Sequence, residues 1–327
     1  MKTAVVILNW NTKGFLEKFL PGLVDSVKGL DAGVIVADNA STDGSRELLR
    51  ERFPSVSRIE FDRNYGFTGG YNRAFSGIDA EYFVLINSDI EVPQGWLQPL
   101  TRYMDAHADC GACGPKLLSY NDRDSFEYAG AAGGYLDRYG YPFCRGRVLG
   151  KVAKDRGQYD DPADVLWISG ACLLVRSAIW RKLGGLDDRF FAHFEEIDLC
   201  WRIQLAGYRV TSVPDSKVWH VGGGTLPQGS PFKLKLNYRN SLLMLEKNLP
   251  LTIGSGKASL RIFIRKILDG CAAILYLFTF RVKDFKAVWD AHREYRSLLK
   301  EQPEKQQASE GASVRGLIGG LMIFQKI

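Results

Sequence analysis

Tyr82-Phe83-Val84-Leu85-Ile86-Asn87-Ser88-Asp89 decides the fold. An unbroken apolar run without polar alternation is what a strand buried on both faces requires, and this one stops abruptly on three polar residues. Working outward, the same pattern recurs. Ala4 to Leu8 is a continuous apolar run ending at Asn9-Trp10-Asn11, Val34 to Ala37 ends at Asp38-Asn39, and Ile59-Glu60-Phe61 runs into Asp62 and Asn64. Between the first two runs Phe15, Phe19, Leu20 and Leu23 recur at helical spacing, and Ser41-Thr42-Asp43 supplies capping chemistry for a helix over Ser45 to Phe53. Alternating strand and helix signals predict an α/β fold, a parallel sheet with helices on both faces. Ligands of such sheets sit beyond the carboxyl ends of the strands. Polar side chains stand at those ends four times: Asn9 with Asn11, Asp38, Asp62 with Asn64, and Asn87 with Asp89. One such end is ordinary turn chemistry, whereas four converging ends favour a site.

A length of 327 residues suits two domains, or one large domain with an extension. Charged residues at 24% and hydrophobic ones at 46% exclude a disordered or fibrous chain. The net charge of +6 gives no argument for nucleic acid. Ala4 to Leu8 is too short for the apolar part of a secretory signal. The longest strongly apolar run, Cys271 to Phe280, falls well below the roughly 18 residues of a membrane span. The expectation is therefore a cytoplasmic protein with free thiols. Cys110-x-x-Cys113 lacks the second pair or the histidines that would make it a zinc site.

Residues 115–165 are rich in glycine and tyrosine with little periodicity, the mark of a functional or mobile excursion. Asp164 to Val175 then returns to a strand pattern, and Arg176 to Leu183 reads as a short helix ended by Gly184-Gly185. Composition shifts near residue 225, giving expected units of 1–225 and 226–327. Ser230 to Lys300 holds fourteen basic and five acidic residues, so the positive charge of the chain is concentrated there. Leu260, Phe263, Ile264, Ile267, Leu268, Cys271, Ile274, Leu275 and Phe278 fall at amphipathic spacing, with Arg261, Arg265 and Lys266 on or beside the polar face. Two readings stay open. The apolar stripe packs on the first unit, or it lies in the interface of an anionic membrane. Glu301 to Ser313 reads as a loose tail, and Val314 to Ile327 either docks back or touches lipid.

Three stretches carry chemistry. Asp38 could accept from a base N–H or a ribose hydroxyl, or could simply cap the following turn. Asn87 and Asp89 lie two apart, hence on one side of an extended backbone. With a diphosphate they could complete an oxygen shell for Mg²⁺ or Mn²⁺. His220, in Val218-Trp219-His220-Val221, could add a nitrogen or be structural. In Phe194-Glu195-Glu196-Ile197-Asp198, three carboxylates crowd among aromatics. Asp198 and Arg202 would pair at i, i+4 on a helix starting near Glu195, while desolvation and like charge would raise a carboxylate pKa toward that of a general base. Neither Gly-x-Gly-x-x-Gly after the first strand nor a P-loop is present, and Gly66-x-x-Gly69-Gly70 matches neither.

Val5 to Asn11, Ala37 to Ser45, Asn64 to Asn72, Leu85 to Asp89, and Gly184-Gly185-Leu186-Asp187 through Glu195 to Arg202 occur in the order found in family 2 glycosyltransferases. The chain resembles their bacterial rhamnosyltransferase-like branch over roughly residues 4 to 225, and more loosely in its C-terminal helices. The resemblance implies a GT-A fold, a Rossmann-like mostly parallel sheet with a C-terminal helical extension, and an inverting, metal-dependent transfer from a nucleoside-diphosphate sugar. It implies that Leu8, Trp10 and Asp38 line the nucleoside pocket with Asn64 and Asn72 nearby, and that Gly170 marks a turn near the donor sugar. Asp89, with Asn87 and His220, would hold Mg²⁺ or Mn²⁺. Glu196 would be the base, with Glu195 the competing assignment. The donor expected is of dTDP or UDP type, with rhamnose favoured. The acceptor expected is a cell-surface or lipid-linked glycan at the inner face of the cytoplasmic membrane. A sugar-nucleotide nucleotidyltransferase would carry a Gly-rich loop with Lys or Arg after the first strand, which Asn9-Trp10-Asn11-Thr12-Lys13 does not resemble. A non-catalytic glycan- or membrane-binding protein on the same fold is the other alternative.

Overall fold

The computed structural model describes residues 1–222, 229–301, 308–317 and 319–321. In chain order the strands are β1 Thr3–Asn9, β2 Ala32–Asp38, β3 Ser57–Glu60, β4 Tyr82–Ile86, β5 Ile90–Glu91, β6 Cys110–Ser119, β7 Gly134–Leu136, β8 Pro142–Cys144, β9 Arg147–Val148, β10 Lys151–Val152, β11 Ala163–Asp164, β12 Cys172–Arg176 and β13 Arg209–His220. The helices are α1 Lys13–Ser26, α2 Ser45–Arg52, α3 Gly66–Ser76, α4 Leu97–Ala106, α5 Ser177–Lys182, α6 Glu195–Leu205, α7 Pro231–Ile253, α8 Ser255–Phe278 and α9 Val282–Leu298.

The main sheet runs β11-β13-β6-β12-β4-β1-β2-β3, with β5 paired to β13. The first four apolar runs form its parallel half, β3-β2-β1-β4, as their patterning predicts. Beyond β4 the sheet is mixed, because β12 is antiparallel to both β4 and β6. Alternation along the strands splits the core into two layers. Val6, Phe83 and Leu85 face one layer with Trp180 and Trp201, while Val5, Val84 and Ile86 face the other with Leu16 and Leu100. The β1–β2 register sets Asn9 opposite Asp38, so the polar strand ends meet at one edge.

Two expectations change. The run 164–175 is not one strand. The backbone at Leu166 and Trp167 bonds instead with Gly134, which draws the chain away from the main sheet before the Ser169-Gly170 turn returns it to β12. The stretch 115–165, expected to be irregular, contains a four-stranded antiparallel sheet, β7 to β10. Cys110 and Cys113 lie buried in β6, where burial raises both thiol pKa values.

The largest correction concerns α8. Two of its charged residues, Arg265 and Asp269, face inward. Arg265 Nε donates to Asp269 Oδ1 at 2.8 Å, and the other guanidinium nitrogens reach the Tyr139 carbonyl at 3.0 Å and Ser241 Oγ at 2.9 Å. The same guanidinium stacks 3.9 Å over the Tyr141 ring, and His292 Nε2 lies 3.4 Å from Asp269 Oδ2. Arg265 therefore sits on no solvent-facing surface, and the apolar stripe does not pack on the first unit. Leu260, Phe263, Ile267, Ile274 and Phe278 all point outward. Among the described residues no helix is long and apolar enough to cross a membrane.

The expected boundary at 225/226 lies outside the described residues, as do 302–307 of the expected tail and 318 and 322–327 beyond it. Of the last segment, the Arg315 amide bonds Gln204 Oε1, Arg315 pairs with Asp164, and Leu317 bridges to Leu136, so this part docks back on the sheet-bearing unit.

The buried Arg265–Asp269 pair sets a stability prediction. Arg265→Ala leaves a buried carboxylate without its cation and is expected to cost about 3 kcal/mol. Arg265→Met with Asp269→Leu should recover most of that. Urea unfolding of the three proteins measures it, and a double variant no more stable than Arg265→Ala contradicts it.

Candidate functional site

At the meeting of β1 and β2, Asp38 is buried with its carboxylate saturated. Arg46 Nε donates to Oδ1 at 2.6 Å, the Ser41 amide to Oδ1 at 2.9 Å, and Asn9 Nδ2 to Oδ2 at 2.8 Å. Burial alone would raise its pKa, but these hydrogen bonds outweigh it and hold Asp38 below the ordinary carboxylate range. Arg46 was not singled out from sequence, since a basic residue in a first helical turn carries no special signal. Trp10 stands exposed at the end of β1, and Leu8 packs against the backbone of Gly70. Asn64 Oδ1 accepts from the Gly66 amide at 2.8 Å and from Asn39 Nδ2 at 2.9 Å, which ties the start of α3 to the end of β2. Asn72 turns elsewhere. It exchanges hydrogen bonds with the Leu186 backbone at 2.7 and 2.9 Å and donates to Asp188, so it clamps the loop ahead of α6.

Asn87, Asp89 and His220 converge as the sequence predicts. The β5–β13 pairing and the Val221 amide bonded to the Asp89 carbonyl bring the end of β13 against Asp89. His220 Nε2 lies 3.2 Å from Asp89 Oδ1 and 3.4 Å from Asn87 Nδ2. On the other side of the ring, Nδ1 lies 3.4 Å from Glu127 Oε1. Burial alone would lower the imidazole pKa, but the two carboxylates hold it up at about 10. Glu127 was missed because it belongs to the stretch that looked irregular and reaches His220 only through the fold. Among the described residues no three His, Cys, Asp or Glu side chains are arranged around a metal position; carboxylate, amide oxygen and neutral imidazole are ligand types that Mg²⁺ or Mn²⁺ accepts, and His220 would have to give up its proton to serve as one. A carboxylate behind the far ring nitrogen is the arrangement that aims Nε2 of a histidine at a metal.

The third cluster begins with a strained loop. Phe191, His193 and Phe194 all take left-handed backbone angles, with φ of 63°, 70° and 71°. For bulky L-residues each costs on the order of 1 kcal/mol or more. Neighbours hold the loop there. The Phe191 carbonyl accepts from the amides of Phe67 at 2.8 Å and Thr68 at 3.3 Å. Gly66, at φ +72°, lies directly under it, and a Cβ there would sit 2.5 Å from the Phe191 ring. From α7, fully buried Asn240 Nδ2 donates to the carbonyls of Phe190 at 3.0 Å, Ala192 at 2.8 Å and His193 at 2.7 Å. Arg239 adds bonds to the carbonyls of Arg189 and Phe190.

The loop delivers Glu195 and Glu196 to the first turn of α6. The Asp198 expected to pair with Arg202 does so, at 2.7 Å, and also accepts from Lys247 and Asn248. That carboxylate is structural. The other two each keep a buried Oε2 without a hydrogen-bond partner. Glu195 is buried, and desolvation followed by the charge of Glu196 pushes its pKa far up. Glu196 is partly buried, and burial pushes it up to about 7 against the pull of the helix amides. Gly170 faces it, since a Cβ there would lie 3.5 Å from Glu196 Cβ and 3.4 Å from the Phe67 ring. Next to them His193 is kept neutral, chiefly by burial and then by Lys233, with its pKa lowered to about 4.

A family model described as glycosyl transferase family 2 matches residues 4–179. The chain is similar to N-acetylglucosaminyl-diphospho-decaprenol L-rhamnosyltransferase of Mycobacterium tuberculosis (strain CDC 1551 / Oshkosh), 28% identical over 234 residues, covering 66% of this chain and 75% of that protein. Among solved structures it is similar to GalNAc-T7 with UDP, GalNAc and Mn²⁺, at a TM-score of 0.59 and 17% identity over 76% of this chain and 48% of that one. It is also similar to the mannosyltransferase PcManGT from Pyrobaculum calidifontis in complex with GDP-Man and Mn²⁺, at 0.56 and 14% identity over 92% and 88% of the two chains. The likeness to the solved structures is one of fold, a GT-A sheet with helices following it.

Asn240 supplies the donors that hold the strained loop, which fixes the order of two variants. Asn240→Ala leaves buried carbonyls unpaired, at about 2 kcal/mol. Asn240→Asp sets a carboxylate against those carbonyls and should cost more. Hydrogen exchange should quicken at residues 190–197 in both while β1 and β4 keep their protection. An aspartate variant as protected as the parent removes the clamp.

Proposed function

The chain belongs to glycosyl transferase family 2, rhamnosyltransferase-like, and from that premise we propose an inverting glycosyltransferase that moves a sugar, rhamnose favoured, from a dTDP- or UDP-sugar to a hydroxyl of a lipid-linked or cell-surface glycan. The enzyme would work on the cytoplasmic side, peripheral at the inner face of the membrane. One observation carries the reading. Glu196 is a partly buried carboxylate with an unpartnered, solvent-shielded oxygen, its pKa raised to about 7 by burial, set beside the Ser169-Gly170 turn. A general base near neutral pH needs a carboxyl poised in that way. Glu195 is more deeply buried, its pKa pushed far up by desolvation and then by the charge of Glu196, and is the poorer candidate.

Chemistry follows from placement. The acceptor hydroxyl gives its proton to Glu196 as its oxygen attacks the anomeric carbon from the face opposite the diphosphate. The new C–O bond forms while the bond to the diphosphate oxygen breaks, and the electron pair leaves with the nucleoside diphosphate. No covalent sugar–enzyme intermediate is required. Asp89, Asn87 and His220 would hold Mg²⁺ or Mn²⁺, which when bound supplies positive charge to the leaving diphosphate. Glu127 keeps His220 turned toward that position. Trp10 and Leu8, at the end of β1, would receive the base. Asp38 would act mainly by holding Asn9, Ser41 and Arg46 at the rim, since its carboxylate already accepts three hydrogen bonds.

Glu196→Gln should abolish transfer while donor binding, read by calorimetry, stays within about twofold; near-normal turnover would remove Glu196 as base. In the parent, the base must be ionised, so kcat/KM should fall as pH drops through about 7. A profile flat down to pH values near 5 contradicts the assignment. Asp89→Ala should weaken donor binding in the presence of Mn²⁺ and leave metal-free binding little changed; an unaltered metal response would take Asp89 out of the cation site.

A further inference from the structure

Helix α8 turns an ion pair inward and an apolar row outward. Arg265 and Asp269 are buried and paired beside Ala258, Ile262 and Ala273, Lys257 is exposed and Arg261 and Lys266 are half-buried, while Leu260, Phe263, Ile267, Cys271, Ile274 and Phe278 form one outward stripe with successive steps of three or four residues. The stripe runs about 27 Å along the helix. It continues into the turn before α9, where Phe280 and Val282 are among the most exposed apolar residues described. An isolated exposed leucine needs no explanation, but a continuous apolar row of this length marks a contact surface.

The charges beside the row say what it contacts. On α9, Lys283, Lys286, Trp289, Arg293 and Arg296 recur at helical spacing and are exposed. The acidic residues of the two helices are withdrawn or neutralised. Asp269 and Asp284 are buried, Asp290 pairs with Arg293, and Glu294 pairs with Lys235 and Arg239. We propose that the outward faces of α8 and α9, with the turn between them, are the surface on which this protein lies on an anionic lipid bilayer. Apolar side chains enter the acyl boundary, the tryptophan sits at the headgroup level, and the lysines and arginines meet the lipid phosphates. A second copy of the chain fits less well, because a two-fold contact would press the same net-positive patch against itself. The proposal names the surface by which the reading above would reach a lipid-linked acceptor, yet it can be tested with neither donor nor acceptor present.

Cys271 makes the test direct. It lies within the stripe, and the other five cysteines are buried. A thiol-reactive, environment-sensitive dye should label it alone in the native protein. On adding phosphatidylcholine vesicles containing phosphatidylglycerol, the dye emission should shift to the blue and the protein should float. Both effects should weaken at high salt and with phosphatidylcholine alone. Phe278→Asp with Phe280→Asp should lower the partition coefficient by about tenfold or more. Lys283→Glu with Lys286→Glu should weaken it without altering the melting temperature. A protein that stays wholly soluble with anionic vesicles at low salt overturns the proposal. So does a Cys271 that resists labelling before vesicles are added, or one protected only by concentration-dependent dimerisation. Failure here with an inactive Glu196→Gln leaves the transferase reading standing. Binding here with a fully active Glu196→Gln does the reverse.

Discussion

Three backbone carbonyls converge on one buried amide, that of Asn240. A primary amide has two N–H protons, so at least one is shared. The carbonyls belong to a loop whose aromatic residues sit in the left-handed region. Strain of this kind persists only where surrounding groups over-determine the conformation. Here the surroundings come from far apart in the chain: Gly66 with the Phe67 and Thr68 amides on one side, Asn240 and Arg239 on the other. Release either side and α6 would start elsewhere. Glu195 and Glu196 would lose the burial that lifts their pKa values, and the carboxyl pair would titrate like ordinary surface groups.

The sheet contributes differently. Parallel strands in register put their carboxyl ends at one edge, so polar residues that are unremarkable singly are forced together. Asn9, Asp38 and Arg46 there form a satisfied network, rigid before any ligand arrives. Asp89 and His220 meet at another part of the same edge because β13 runs parallel to β6 and antiparallel to β5. The hydrogen-bonded strand-end network and the strained carboxylate side are thus two separate constructions, joined through α3. That helix starts at Gly66 under the strained loop, and through Asn64 it is tied to the end of β2.

Much of this was legible because periodicity and short spacing encode it. The apolar runs announce β1, β2 and β4, and the four-residue spacing of Asp198 and Arg202 announces their ion pair. Asn87 and Asp89 were readable as one side of an extended segment. Contacts that depend on the closed fold were not. Glu127 reaches His220 from the glycine-rich excursion, and nothing in its neighbours' sequence distinguishes it from a surface glutamate. Asn240 lies in a helix full of other polar residues. Asn72 was placed by likeness beside the nucleoside, whereas its hydrogen bonds run to Leu186 and Asp188. Helix α8 is the most instructive case. Its period revealed an apolar stripe, but period alone gives the angle between faces and not which face is inward. An Arg–Asp pair four apart looks like surface decoration until Ser241, the Tyr139 carbonyl and the Tyr141 ring enclose it.

One helix connects the two ends of this argument. Helix α7 presents Asn240 and Arg239 to the strained loop, and Lys247 and Asn248 to buried Asp198. The residue after Asn240, Ser241, accepts from Arg265 of α8, and Glu246 bonds Lys266 of α8 and Tyr295 of α9. The residues that orient the carboxylates and the residues that hold the outward apolar face therefore share a single rigid rod. A surface load on α8 cannot be relieved within α8, because its buried pair is anchored to α7. The C-terminal helices are for this reason tied into the support of the Glu195–Glu196 turn. The inward ion pair of α8 has a physical logic in that role: it fixes one rotational setting of the helix, where an all-apolar contact would tolerate several.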